Sequence, residues 1–272
     1  MFYYLLRCRP EVMQRPVLAT VAVVGNGIVR PVDIRAIQER TGMKVEEAEK
    51  HLKDYLLKGI AAEIFWADEA YALAEEISKH TQSRHATGFT SLFGSLQVIF
   101  SDRQTLSVTK LFDQPKRYPT RSIPATLAHL KAHAELWEVS QRHILHQILI
   151  EAGAKSPSVE RLSNAELTYE IVRHYEVELS QFVPALTRLR QSRDKVISHN
   201  EAIERSALQS PTWGDATSLV NYAKDFVSTI GFGYLNIHFG SGRGNYYLSH
   251  DARRTSMQLR RLLEAANLLD YQ

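Results

Sequence analysis

Apolar residues recur at the three- and four-residue spacing of helices along almost the whole chain, and this periodicity most constrains its fold. The spacing predicts helices over 31–40, 45–58 and 64–79, with Thr41-Gly42 and Gly59 as breaks. A longer helix follows, on which Phe89, Leu92, Phe93, Leu96, Ile99 and Phe100 form a wide apolar stripe running on to about Phe112. Residues 114–119 read as a loop, and 123–150 as one or two further helices. Ser163 and Glu166 fit a capping box that opens the next helix, since each side chain can satisfy a backbone amide the first turn leaves unbonded. Pro184 has no amide proton, so it breaks or kinks that helix and suits the first turn of its successor. Helices over 213–230 and 251–269 come last, and only 234–239 and 246–248 read as short strands. The expected fold class is all-α: a helical bundle over 61–272, preceded by a small helical, helix-turn-helix-like segment over 1–60.

Composition excludes several classes. With 272 residues, 44% hydrophobic and 23% charged, the chain can bury a full-sized core. No apolar run approaches the roughly 20 residues of a membrane span. Val17 to Val24 is apolar and follows Arg15, but it is short and has no convincing cleavage site. The lone Cys8 can form no internal disulfide and excludes a cysteine-based zinc site, so the cytoplasm is the expected compartment. The net charge of +3 lies in residues 1–60, which carry ten Lys/Arg against seven Asp/Glu, while the remainder balances at 23 against 23. No broad basic surface for coating nucleic acid is expected, so any RNA contact must be local.

Chemistry concentrates after Pro184. Arg193 and His199 place a permanent cation and a group titrating near neutrality six positions apart on one predicted helix. Together they suffice to cut RNA without a metal: the cation holds the scissile phosphate while the imidazole moves a proton on or off a ribose oxygen. The spacing alone does not select them, because Arg243 and His250 stand in a similar relation. On an ideal wheel of about 100° per residue, Leu186, Leu189, Val196 and Ile197 define one face, with Arg193 near its middle. A guanidinium there needs an anion, either an acidic residue on a neighbouring helix or a phosphate in a cleft. His199 falls about 120° away from Arg193. Either the helix loosens near Ser198, or two copies of the chain assemble the cleft.

The stretch from Leu189 to Asn200, with Arg193, Asp194 and then His199, resembles the signature of HEPN domains: Arg, often a polar residue, then His after four to six others. The upstream segment from Phe89 through Phe100 to Leu111-Phe112-Asp113 resembles the HEPN branch linked to bacterial abortive infection, in which a long apolar helix ends in a Leu-Phe-Asp-like element. The resemblance covers roughly residues 62–270 and rests on two separated elements in the right order. It implies a metal-independent endoribonuclease that acts as a homodimer and leaves a 2′,3′-cyclic phosphate and a 5′-hydroxyl. His199 would be the general acid/base on the 2′-hydroxyl, and Arg193 would stabilise the charged phosphorane. Asp194 matches the polar position and would orient its neighbours. Lys195, about 40° from His199 on the wheel, is a candidate second phosphate contact. Neither cofactor nor metal is expected. A phage-defence or toxin role follows from the same resemblance, and an antitoxin partner is familiar in the superfamily. The family also contains inactive members that bind RNA or protein.

Other groupings have simpler readings. His129 with His133, and His143 with His146, could pair on a metal, but without cysteine or a His-Glu-x-x-His pattern they read as solvated or satisfied histidines. The glycines from Gly231 to Gly244 lack both Walker and Rossmann spacing and read as a loop between helices, with Arg243 near substrate. Arg253, Arg254, Arg260 and Arg261 read as solvated faces of the last helix. Residues 31–59 resemble a winged helix-turn-helix, which gives a DNA-binding regulator as an alternative. Glu46, Glu47 and Glu49 on the would-be recognition helix oppose it, because they repel the phosphate backbone.

Overall fold

The computed structural model describes residues 22–25, 28–31, 43–80, 88–115, 119–198, 210–240 and 246–269. The fold is all-α, with one antiparallel hairpin ahead of the helices. Its strands β1 (Ala22–Gly25) and β2 (Ile28–Pro31) pair Ala22 with Pro31 and Gly25 with Ile28. Pro31 therefore closes a strand instead of opening a helix, and the rest of the helix expected over 31–40, with the Thr41-Gly42 break, lies outside the described residues.

Helix α1 (Val45–Asp54) does not stop at Gly59. It widens to i→i+5 hydrogen bonding over Tyr55–Ile60 and continues as α2 (Ala61–His80). The reason is legible in the spacing. Ala48, Leu52, Leu56, Ile60 and Ile64 recur every four residues and are all fully buried. On an ideal helix such a row drifts by about 40° per step, whereas a wider turn lets the fourth residue fall behind and cancels the drift. Gly59 is a point of close approach, since a Cβ there would meet the Cβ and carbonyl oxygen of Arg121. The boundary expected at residue 60 thus falls inside a continuous helix whose buried row belongs to one core.

The remaining helices are α3 (Thr90–Leu111), α4 (Ile123–Ala132), α5 (Arg142–Glu151), the single turn α6 (Ser156–Val159), α7 (Asn164–Gln181), α8 (Val183–Ser192), α9 (Trp213–Leu235) and α10 (Tyr247–Ala265). The Ser163–Glu166 capping box forms as expected, and Pro184 sits in the first turn of α8. The strands expected over 234–239 and 246–248 do not form. Tyr234 and Leu235 complete α9, Tyr247 and Leu248 open α10, and among the described residues the backbone pairing between these stretches is one bridge from Gly240 to Tyr246. The aromatic side chains that suggested strands are used for packing: Phe239 and Tyr246 stack 6.2 Å apart at 9°.

Helix α9 is the centre of the bundle and touches α1, α2, α3, α5 and α8. Leu219, Phe226 and Ile230 from α9 pack with Leu167, Ile171 and Tyr175 from α7 and with Val108, Leu111 and Phe112 at the end of α3. The first half of α3 leaves this core and packs with α2 and α10 around Ile77, Phe93 and Leu263. The apolar stripe of α3 is wider than its partners can cover, so Phe93 is buried while Phe89, Leu92 and Ile99 stay exposed. The final turns of α3 reverse this and bury nearly every side chain. The position of Asp113 is fixed there. No described helix is long and apolar enough to cross a membrane.

Candidate active site

Asp113 lies two residues beyond the last residue of α3. Leu111 and Phe112 before it are fully buried, and the Phe112 ring lies 5.9 Å from that of Tyr222 on α9, so the helix end cannot swing. The chain around Asp113 is also bonded in place. Its carbonyl accepts the Ser122 hydroxyl at 2.6 Å, and Ser122 Oγ in turn caps α4 by accepting the Ala125 amide at 3.4 Å. The preceding carbonyl, of Phe112, accepts Arg190 Nη2 at 2.7 Å.

Helix α8 approaches from the other side. Pro184 starts it, Leu186 and Leu189 seat it on the core, and Arg188 locks it to the start of α9. Arg188 Nε and Nη2 reach the two oxygens of Asp215 at 3.0 and 2.5 Å. Asp215 also closes a capping box with Thr212. The Arg188 hydrogen bonds, helped by the Thr212 amide and hydroxyl, hold its carboxyl down at about 2.

At Arg193 the helix widens to i→i+5 bonding, which persists to Ser198. The 100° wheel that separated Arg193 from His199 therefore stops applying at Arg193, five residues before Ser198, where one of the two alternatives placed a loosening. His199 itself lies outside the described residues, as does Arg243. Val196 and Ile197 are only partly buried. Arg193, whose side chain is 22% exposed, donates from Nη1 to Asp113 Oδ1 at 2.8 Å and from Nε to Asp194 Oδ1 at 2.6 Å. Burial works against its charge, but the hydrogen bonds it donates to Asp194 and Asp113 outweigh burial and raise its pKa above the ordinary guanidinium value. Of the two anions that sequence allowed this arginine, the structure supplies the acidic side chain. Asp194 is exposed, and the partly exposed Lys195 makes no ion pair with a described residue.

The structure thus joins the two sequence elements, 80 residues apart, in one ion pair. In the sequence Asp113 marks only the end of a helix, and neither Arg190 nor Ser122 stands out as a site residue. The signal for Arg190 was available, because it precedes Arg193 by three and shares its face. The local signal for Ser122 was its place as N-cap before Ile123 with Pro124 in the first turn, but nothing local marked its bond to the Asp113 carbonyl.

The histidine pairs depart in part from the expected solvated or satisfied state: His133 Nδ1 and His146 Nε2 are buried with no hydrogen-bond partner among the described residues. His129 is buried, bonds the Ala48 carbonyl from Nε2 at 3.0 Å and packs edge-on against His133, His51, Tyr55 and Trp137. Burial pushes its pKa down, which keeps it a neutral donor. Among the described residues, no group of three or more His, Cys, Asp or Glu could hold a metal ion. Arg253, Arg254, Arg260 and Arg261 are exposed, as expected.

A family model for AbiU2 proteins of the HEPN class matches residues 49–255. The chain belongs to the AbiU2 HEPN family. The match covers both Asp113 and the Arg193–His199 stretch, and places the chain with HEPN proteins of the abortive-infection type. It also spans the expected boundary at residue 60, so the AbiU2 match begins within α1. No curated protein and no solved structure matches.

Proposed function

We propose that this AbiU2 HEPN protein is a metal-independent endoribonuclease with a role in phage defence or as a toxin. The observation that carries the reading is the meeting of Arg193 with Asp113 at 2.8 Å, which holds a permanent cation at a partly exposed position of the family's sequence signature. In the reaction the ribose 2′-oxygen attacks the adjacent phosphorus and the 5′-oxygen leaves, giving a 2′,3′-cyclic phosphate and a 5′-hydroxyl. His199 takes the 2′-hydroxyl proton or returns one to the leaving oxygen. Arg193 neutralises the charge that grows on the non-bridging oxygens, and its fixed orientation means little reorganisation is needed. The active form is a homodimer whose paired Arg193–His199 stretches face one cleft, and Lys195 supplies a further phosphate contact. RNA is the substrate; an antitoxin is a possible partner in the superfamily.

One observation favours a second reading, a non-catalytic RNA- or protein-binding HEPN module: both described partners of Arg193 are carboxylates, as in a purely structural ion pair. Incubating the purified protein with total bacterial RNA and mapping the new 5′ ends separates the two. The ribonuclease reading expects 5′-hydroxyl ends in the presence of EDTA, lost in both Arg193→Ala and His199→Ala. Cleavage that persists in those variants, or that needs a divalent metal, refutes it.

A further inference from the structure

The two carboxylates on Arg193 are not equivalent. Asp113 meets Nη1, and the backbone around it is tied down by Ser122 and Arg190. Asp194 meets Nε, its side chain is 53% exposed, and it has no second partner among the described residues. An arginine grips phosphate best through two parallel N–H groups, and with Nη1 committed to Asp113 the remaining pair is Nε and Nη2. Nη2 donates to no described residue, so Asp194 covers one half of the edge a phosphate would use. The charges agree with this geometry. Arg193, Asp113 and Asp194 sum to one excess negative charge, which opposes a phosphate until Asp194 moves away.

Resting on the ribonuclease reading for its physiological ligand, we propose that Asp194 is a displaceable cover on the phosphate-binding edge of Arg193, and that Asp113 is its fixed anchor. An RNA phosphodiester takes the Nε–Nη2 edge and turns Asp194 out to solvent, while the Asp113 bond keeps the guanidinium plane in place. The wide turn that begins at Arg193 is a local geometry that recurs at functional sites. Asp194 is thus a positioning residue that sets how readily substrate enters.

The test is a titration of the full-length protein with inorganic phosphate, following the Arg193 Nε–H resonance by NMR. The comparison is between wild type, Asp194→Asn and Asp113→Asn. Removing one carboxylate a few ångströms from the bound phosphate is expected to tighten Asp194→Asn about tenfold. Asp113→Asn removes the same charge but frees the guanidinium, and is expected to bind no tighter than wild type. Equal tightening in both variants would reduce the effect to net charge and overturn the proposal, as would a phosphate that leaves the Nε–H resonance unmoved. In RNA cleavage, Asp194→Asn should lower KM, while Asp113→Asn should lower kcat. If no variant cleaves RNA but the phosphate titration follows this pattern, the cover stands and the ribonuclease reading falls.

Discussion

Gly59 sits inside a helix, where replacing glycine by alanine ordinarily stabilises by about 1 kcal/mol. Here the structure reverses the sign. A Cβ at 59 would lie 2.5 Å from the Arg121 carbonyl oxygen, where ordinary contact begins at 3.4 Å, and would also strike Arg121 Cβ. Neither atom can rotate away, so the backbone of Arg121 must retreat by most of an ångström. Such overpacking costs typically 1–3 kcal/mol, which exceeds the propensity gain. The overpacking cost less the propensity gain leaves a net loss for Gly59→Ala of up to about 2 kcal/mol, or several degrees in Tm. The strain also reaches the candidate site. Arg121 bonds Asp54 at 2.5 Å and precedes Ser122, whose hydroxyl holds the Asp113 carbonyl. Gly94 on the exposed half of α3 is the control, because a Cβ there meets nothing within 4 Å. Gly94→Ala should raise Tm by about 2–4 °C. The assay is thermal unfolding of both variants and wild type by circular dichroism. If Gly59→Ala raises Tm as Gly94→Ala does, the close approach to Arg121 is not what keeps glycine at this position.

Other expectations follow from the caps and titrating groups. Ser163→Ala and Thr212→Ala each remove a capping box and should cost about 1 kcal/mol in urea unfolding, while Ser158→Ala, on an exposed turn, should cost little. The Asp215 carboxyl is held at about 2, below its unfolded value near 4. Its bonds therefore stabilise the fold above about pH 4, and this contribution is lost as pH falls towards 2. The stability gap between wild type and Asp215→Asn should accordingly close over that interval, and a gap that stays constant would contradict the assignment. His129 acts in the same direction at higher pH: its folded pKa lies below its unfolded value near 6.5, so the unfolded chain binds the proton first and stability falls as pH drops below that value. His129→Gln keeps a donor for the Ala48 carbonyl, and its unfolding free energy should fall less steeply between pH 7 and 5.

What could be read from sequence was whatever repeats locally. The helical periodicity, the Ser163 capping box, the role of Pro184 and the long helix ending at Leu111-Phe112-Asp113 all depend on residues within a turn or two of one another. The hairpin went unread, with only 234–239 and 246–248 expected as strands, although Asn26-Gly27 between apolar residues is a strong turn signal. Gly59 misled because local propensity treats glycine as a stop, while its function is to admit a neighbouring backbone. The short aromatic runs near Tyr234 and Tyr246 misled for a similar reason, as packing against other helices overrode their strand preference.

The amino-acid order by itself determined the helices, the family and the identity of the arginine. Only the tertiary structure decided what that arginine touches. An ion pair across 80 residues has no local signature, since it depends on where the end of α3 and the start of the wide turn come to rest. Those resting places are set by burial of Leu111, Phe112, Leu186 and Leu189 in a shared core, and the charged atoms follow.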